Sequence, residues 1–282
     1  MAYRGLVSLN AIVDIDYSRV ERYLRDFLVH ELEESERRGF VLGLSGGVDS
    51  STAYALAVRS FGRDRVMALI MPDSNVTPKV DVDDALSLVG IYGSRYNVID
   101  IAPIVDVYKG TLPLYESDDL DRVPLGNLRA RIRMSILYYY ANKLDYMVLG
   151  TGDRSEYLIG YFTKYGDGAV DIAPLIALYK SQVRRFALHL GVPERIAFKP
   201  SSPRLWPGHM AEAELGVSYE DVDLILYSYI DLGVDKSEIH GVTGIPEHVI
   251  SRVIELYERS HHKRAGVKIP DITPIRELMI KL

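Results

Sequence analysis

Cysteine is absent from all 282 residues. That excludes disulfides, a cysteine zinc site and every thiol nucleophile. No apolar run approaches the ~18 residues of a membrane helix, and the N-terminus lacks a basic flank followed by an apolar core. Neither a membrane span nor a secretory signal is expected, and a cytoplasmic protein is the default reading. Positive charge is not in excess: 33 Lys and Arg stand against 39 Asp and Glu, a net charge of −6. This argues against a general nucleic-acid binder and leaves room for a local basic pocket. Repeats and low-complexity tracts are missing, and tryptophan occurs once, at Trp206. A chain of this length suits one large α/β domain or one domain with appendages, and can bury about 75% of its unfolded surface without cross-links.

What is present centres on residues 40–51, FVLGLSGGVDSS. The apolar run Phe40–Leu44 reads as a buried strand. It stops at Ser45-Gly46-Gly47-Val48-Asp49-Ser50, and a helix-like segment, Ser51–Phe61, follows. A strand, a glycine-rich turn and a helix start aim backbone N–H groups and the positive end of a helix dipole at an anion. The paired glycines lack Cβ atoms, so phosphate oxygens can come close. Ser45 and Ser50 add hydroxyls, and Asp49 offers a carboxylate to a hard cation such as Mg2+. The GxxxxGK[ST] loop is absent, since no lysine follows the glycines. The plain alternative is an ordinary strand-to-helix turn.

Residues 17–38 form an amphipathic helix, with Val20, Tyr23, Leu24, Phe27, Leu28 and Leu32 in one stripe. Val66–Met71, Tyr96–Ile101 and Tyr146–Leu149 are further strand candidates, and Lys79–Tyr92 is a helix between two of them. Strands alternating with helices predict a parallel, doubly wound sheet whose ligands sit beyond the carboxyl ends of the strands. Both Ser45–Ser50 and Thr151–Glu156 fall there. Residues 115–122 read as a mobile surface loop. The next helix, about 125–144, has an expected core face of Leu128, Ile132, Ser135 and Tyr139. At about 100° per residue, Arg131 sits about 60° off that face and Arg133 points nearly away from it. Arg131 is then either a snorkelling surface residue or an anchor for an anion at a subunit seam.

Ile159–Val170 (IGYFTKYGDGAV) is too polar for a core strand and too aromatic for a linker, and reads as a shaped binding loop. Lys180 opens the helix 179–190, a poor position relative to the helix dipole that suggests an anionic neighbour. Residues 199–208 (KPSSPRLWPG) read as an ordered or closing loop. The remainder is helical: 219–229, a turn at 237–240, and 246–259, where either a small helix-turn-helix or a plain helical hairpin fits.

The turn Ser45–Ser50 resembles the pyrophosphate-binding loop of the N-type ATP pyrophosphatases, which adenylate an oxygen and release pyrophosphate. Later segments narrow the likeness: Gly126–Met134 (GNLRARIRM), Gly150-Thr151 with Glu156 five residues on, Phe162–Gly168 (FTKYGDG), Glu214–Tyr219 (ELGVSY) and His262-Lys263-Arg264. In order and at compatible spacing, from about residue 20 to 265, these resemble the NAD synthetases. The resemblance implies a Rossmann-like doubly wound parallel sheet flanked by helices. It further implies one synthetase domain over 1–282, with an α/β core at about 17–200 and a loop and helical extension at about 201–282.

It also implies a reaction. The nicotinate carboxylate of deamido-NAD attacks the α-phosphorus of ATP, and ammonia then displaces AMP to leave NAD. Glutamine-dependent members carry an amidase domain with a cysteine nucleophile, so a chain without cysteine is expected to take free ammonia. By family position Gly43, Leu44, Ser45, Gly46, Gly47, Val48, Asp49, Ser50, Thr151, Lys180 and Ser202 contact ATP, with Lys180 also catalytic. Asp49 and Glu156 hold Mg2+. Arg131, Lys164, Asp171, His262 and Lys263 contact deamido-NAD, and Asp167 and Asp171 are candidates to deprotonate ammonium. The active unit is a homodimer with the substrate across its seam, where helices 17–38 and 125–144 have suitable stripes unless their own sheet consumes them. Two rivals are a tRNA-modifying relative, which needs a basic surface, and a non-catalytic nucleotide-binding regulator. The latter would not need Asp49, Glu156 and the substrate loop together.

Overall fold

Alternation along the strands decides how the molecule is layered. A computed structural model describes residues 7–279. The strands are β1 (Phe40–Gly43), β2 (Val66–Ile70), β3 (Arg95–Val98) and β4 (Met147–Val148). They form one parallel sheet in the order β3-β2-β1-β4. The helices in chain order are α1 (Leu9–Val13), α2 (Tyr17–Glu34), α3 (Val48–Phe61), α4 (Lys79–Tyr92), α5 (Ala102–Thr111), α6 (Arg122–Leu144) and α7 (Arg154–Ile159). They continue as α8 (Lys180–Leu190), α9 (Glu194–Ala197), α10 (Ala211–Leu215), α11 (Tyr219–Leu226), α12 (Ile239–Thr243), α13 (Glu247–Arg259), α14 (His261–Arg264) and α15 (Thr273–Met279).

Phe40, Leu42, Val66, Ala68 and Ile70 enter one core with α2, α3, α4 and α8. The intervening Val41, Met67 and Leu69 enter the other, with α5 and α6. Both faces are therefore covered by helices, as an all-parallel sheet requires. The expected fold class is the one observed. A third core joins α7 to the C-terminal helices, and there Ile250, Val253 and Ile254 of α13 are buried. No described helix is long and apolar enough to cross a membrane.

Several boundaries differ from expectation, for local reasons. Helix α3 begins at Val48, inside the glycine-rich motif, with Gly47 as its N-cap. Helix α2 starts where the Asp16 carboxylate accepts from the N–H groups of Ser18 (3.0 Å) and Arg19 (3.2 Å), and ends at Glu34 rather than residue 38. Its stripe, Leu24, Leu28 and Leu32, is buried on its own sheet. The third strand starts one residue early and stops at Val98, and it is an exposed edge.

Helix α6 departs most from expectation. Ser135 and Tyr139 are exposed, whereas Leu125, Gly126, Arg129, Ala130 and Ile132 are buried. Arg133, expected to point away, faces inward, and its Nε donates to the Met71 carbonyl at 2.8 Å. The reason is a buried acid. Asp73, just past β2, is fully buried and receives Arg129 Nε at 2.6 Å, so the charged face of α6 turns toward the sheet.

Candidate active site

The carboxyl ends of the strands open into a cavity of about 460 Å³, at the point where the strand order reverses between β1 and β4. One wall is the Ser45–Ser50 turn. The Ser50 hydroxyl accepts from Ser45 N–H (3.1 Å) and pairs with the Ser45 hydroxyl (2.9 Å), so the turn is braced from inside. Gly46, at φ +78°, is pressed against α4, and a Cβ there would lie 2.2 Å from the Asp81 carbonyl. Lys199 ties the same place down, donating to the Gly46 carbonyl (3.2 Å) and to Asp81 (2.7 Å). The first amide bonded inside α3 is Ser51 N–H, to Gly47 O. The amides of Val48, Asp49 and Ser50 precede it in the first turn, where helices have no acceptors of their own. The arrangement is a preformed anion cradle.

Beside the cradle lies a charge cluster. Lys180 is fully buried, with Nζ 2.7 Å from Asp49, 2.7 Å from Asp153 and 2.8 Å from Glu156. Its ammonium also sits 4.9 Å from the Tyr219 ring centroid, and the Tyr219 hydroxyl donates to Glu156 at 3.2 Å. Burial opposes the charged lysine, but Asp153, Asp49 and Glu156 together override it and hold Lys180 firmly protonated. Burial pushes the carboxyls of Asp153 and Glu156 up, against the pull of Lys180. The anion that the position of Lys180 called for is thus supplied by the protein itself.

The three carboxylates offer oxygens within 4.8 Å of one another. Asp49 Oδ1 is buried without a hydrogen-bond partner among the described residues, whereas Asp153 Oδ2 is held by the Lys180 ammonium. Three hard oxygen donors and one unsatisfied atom suit a divalent cation such as Mg2+.

Asp153 was not among the expected ligands. It caps α7, accepting Glu156 N–H at 2.8 Å, and the same geometry places its second oxygen on the cluster. The only sequence signal was an aspartate three residues before Glu156.

Thr151 and Ser202 line the cavity, although the Ser202 hydroxyl is turned to the His209 carbonyl. Of the expected dinucleotide contacts, only Lys263 lines it; its Nζ donates to the carbonyls of Gly160 and Phe162, both at 2.7 Å. Arg131, Lys164 and His262 come together outside it. Arg131 donates to the Lys164 carbonyl (3.3 Å), and Lys164 Nζ donates to the His262 carbonyl (2.9 Å). Asp171 stands apart, accepting Val148 N–H (2.7 Å) and the Tyr138 hydroxyl (3.0 Å). Asp167 fronts the cavity, reached by solvent yet crowded by protein, and this desolvation raises its carboxyl above the usual range.

Three features were not legible in the sequence. Arg133 lines the cavity, its pKa lowered to about 10 by burial. The Trp206 ring stacks on His209 with centroids 3.5 Å apart. The Tyr161 hydroxyl donates to Glu214 (2.6 Å), which also binds His209 Nε2 (2.7 Å).

Behind Lys180, the buried Asp223 accepts Ser181 N–H at 2.8 Å and the Ser155 hydroxyl, while Ser155 Oγ receives Lys180 N–H at 2.9 Å. Burial raises the Asp223 pKa from 3.8 to about 6. Folding therefore favours its protonated form. That contribution is complete below about pH 4 and is lost as pH rises through 6. Relative to Asp223→Asn, the stability of the native protein is expected to fall by about 1 kcal/mol between pH 5 and pH 7. Urea titrations of both proteins at the two pH values test this, and parallel pH dependences would refute it.

The profile of the NAD synthase family matches residues 20–266. An NH(3)-dependent NAD(+) synthetase of Aeropyrum pernix is 59% identical over 277 residues, spanning 98% of this chain and 97% of its own. Among solved structures, an NMN synthetase from Francisella tularensis superposes with a TM-score of 0.80 at 34% identity, covering 91% of this chain and 99% of that one. An NH3-dependent NAD synthetase from Campylobacter jejuni gives 0.75 at 29%, covering 91% and 100%. On the profile match, the identity and the coverage, this chain belongs to the NAD synthase family.

Proposed function

We infer that this protein uses ATP to join ammonia to the nicotinate carboxylate of deamido-NAD, giving NAD, AMP and pyrophosphate in the last step of NAD synthesis. One observation carries the reading: the anion cradle and the carboxylate–lysine cluster adjoin at Asp49, and Asp49 and Glu156 line the same cavity as the cradle. The adenylation step needs two anionic reactants held in line and a home for the departing pyrophosphate. The amides and hydroxyls of Gly43–Ser50 supply that home. Mg2+ is the cation we assign to Asp49, Asp153 and Glu156, where it would shield phosphate charge when bound. Lys180, held within 2.8 Å of these carboxylates, would add positive charge beside the phosphates. The α/β core and the C-terminal helices act as one unit, because residues of both line the cavity. The absence of cysteine supports free ammonia as the nitrogen source. A cytoplasmic setting, where ATP is plentiful, fits the reaction.

A homodimer completes the proposal. Arg131, Lys164 and His262 lie on an outer edge rather than in the cavity, as contacts shared across a seam would. The buried stripe of helix α2, Leu24, Leu28 and Leu32, is spent on its own core and is not the face offered to a partner. Exposed apolar side chains gather instead on α5, α6 and the segment between them: Val107 (68% exposed), Leu114 (89%) and Tyr139 (67%). Val107→Asp with Tyr139→Asp is expected to yield monomers in sedimentation velocity; an unchanged dimer would move the seam elsewhere.

A second reading substitutes nicotinate mononucleotide for the dinucleotide, favoured by the likeness to an NMN synthetase. One assay separates the possibilities: ATP, Mg2+ and ammonium with either acid, followed by quantification of nucleotides. NAD, AMP and pyrophosphate in equal amounts are expected from deamido-NAD. Formation of ADP would end the adenylation reading, and efficient use of glutamine would end the ammonia one. Preference for the mononucleotide would select the second reading.

A further inference from the structure

The other end of the sheet also carries a concavity. Arg37 and Arg38 precede β1, Asp64 and Arg65 precede β2, Arg95 opens β3, and Tyr146 precedes β4. Together they line an open cleft of about 590 Å³. With β1 to β3 four or five residues long, it lies about 15 Å from the catalytic cavity, at the opposite ends of the strands.

The arginines are fixed there by neutral acceptors. Arg65 Nε donates to the Arg38 carbonyl at 2.9 Å, and Arg95 Nη2 donates to the Asp64 carbonyl at 3.0 Å. Arg95 also donates to the Tyr146 hydroxyl and lies 5.8 Å from its ring centroid, while that hydroxyl donates to the Asp64 carbonyl at 3.2 Å. Arg37 alone has an acidic partner, Asp145. Among the described residues, no carboxylate lies within 4.0 Å of the guanidinium groups of Arg38, Arg65 or Arg95.

Gly39, between Arg38 and β1, packs against Arg65 and Tyr146. A Cβ there would come within 2.2 Å of the Arg65 carbonyl and 2.9 Å of Tyr146 Cζ. Only glycine lets these walls close together.

In a chain of net charge −6, four arginines thus gather at one cleft, and among the described residues three of them have no carboxylate partner, although Asp64 lines the cleft and Asp145 pairs with Arg37. Carbonyl acceptors orient a guanidinium but leave its charge and its remaining N–H groups available. Planar forks of this kind match phosphate oxygens two bonds at a time. We propose that this cleft is a second anion site, which binds a small molecule carrying two or more phosphate charges. Several converging guanidinium groups exceed what a single negative charge would neutralise. The confinement of the cluster to one cleft favours a small ligand over a nucleic-acid track.

Inorganic triphosphate is the probe, titrated calorimetrically into the intact protein at physiological salt with Mg2+ absent. The expected result is two sites per chain, of which one, at the phosphate cradle, persists and the other is lost in Arg65→Gln/Arg95→Gln. Amidation should be unchanged in that variant. Arg65→Lys/Arg95→Lys, which keeps the charge but not the forks, should also lose the second site. Arg38→Gln gives an independent check should either double variant misfold. Identical isotherms for the native protein and the glutamine variants would overturn the proposal. So would binding that the lysine variant retains in full, because diffuse charge would then suffice.

Discussion

Lys180→Met is expected to lower kcat by about 10³-fold and to destabilise the metal-free protein by about 3–5 kcal/mol. The first effect follows from removing the cation that serves the phosphates. The second follows from the surroundings: Asp153 is fully buried, while Glu156 and Asp49 are only 20% and 21% exposed, and all three lose their common counter-ion. Carboxyls already pushed up by burial would rise further, so the destabilisation should be largest at neutral pH and smaller near pH 5. A divalent cation can do for the cluster what the ammonium did. Mg2+ should therefore raise the variant's melting temperature more than that of the native protein. Differential scanning calorimetry with and without MgCl2 reads this directly. A variant that melts normally and ignores Mg2+ would show that the cluster is not held together by Lys180.

Arg129→Met is the second large effect. The guanidinium is 4% exposed and its partner Asp73 is fully buried, so the substitution strands a carboxylate in the interior. The expected cost is about 3–5 kcal/mol, or about 8 °C in Tm for a chain of this size. The pair also aims α6, and Arg129 Nη1 donates to the Leu205 carbonyl at 3.0 Å, anchoring the loop that forms one cavity wall. Adding Asp73→Asn should recover most of the loss, because the second change removes the stranded charge rather than restoring a contact. If the double variant melted no higher than the single one, the lost loop anchor and not the buried charge would be the cause. Thermal melts of the three proteins decide between these.

The contrast between these two centres shows what the sequence carried. Strands and helices followed from apolar runs and from the stripes of amphipathic helices, because those signals are local. The phosphate cradle was legible for the same reason: every atom of it lies within 43–50. Helix α6 was misread because its buried face is set by a distant charge. A face chosen by hydrophobicity gave Ser135 and Tyr139, while Asp73 drew Arg129 inward. Asp153 escaped notice because a helix cap and a cluster ligand look alike in one dimension, and here the residue is both. The position of Lys180 at the start of α8 did announce an anion nearby. That the anions belong to three residues 24 or more positions away in sequence could come only from the fold.

The stack of Trp206 on His209 has an optical consequence. Because the chain has one tryptophan, all indole emission arises from a single wall of the catalytic cavity, with an imidazole against one face and the Arg122 guanidinium 5.1 Å from the ring centroid. Protonation of that imidazole, a polarity change in the cavity or displacement of the 199–209 loop must each register in the same band. The enzyme therefore carries its own fluorophore in the cavity wall, and no label is needed to watch that wall move.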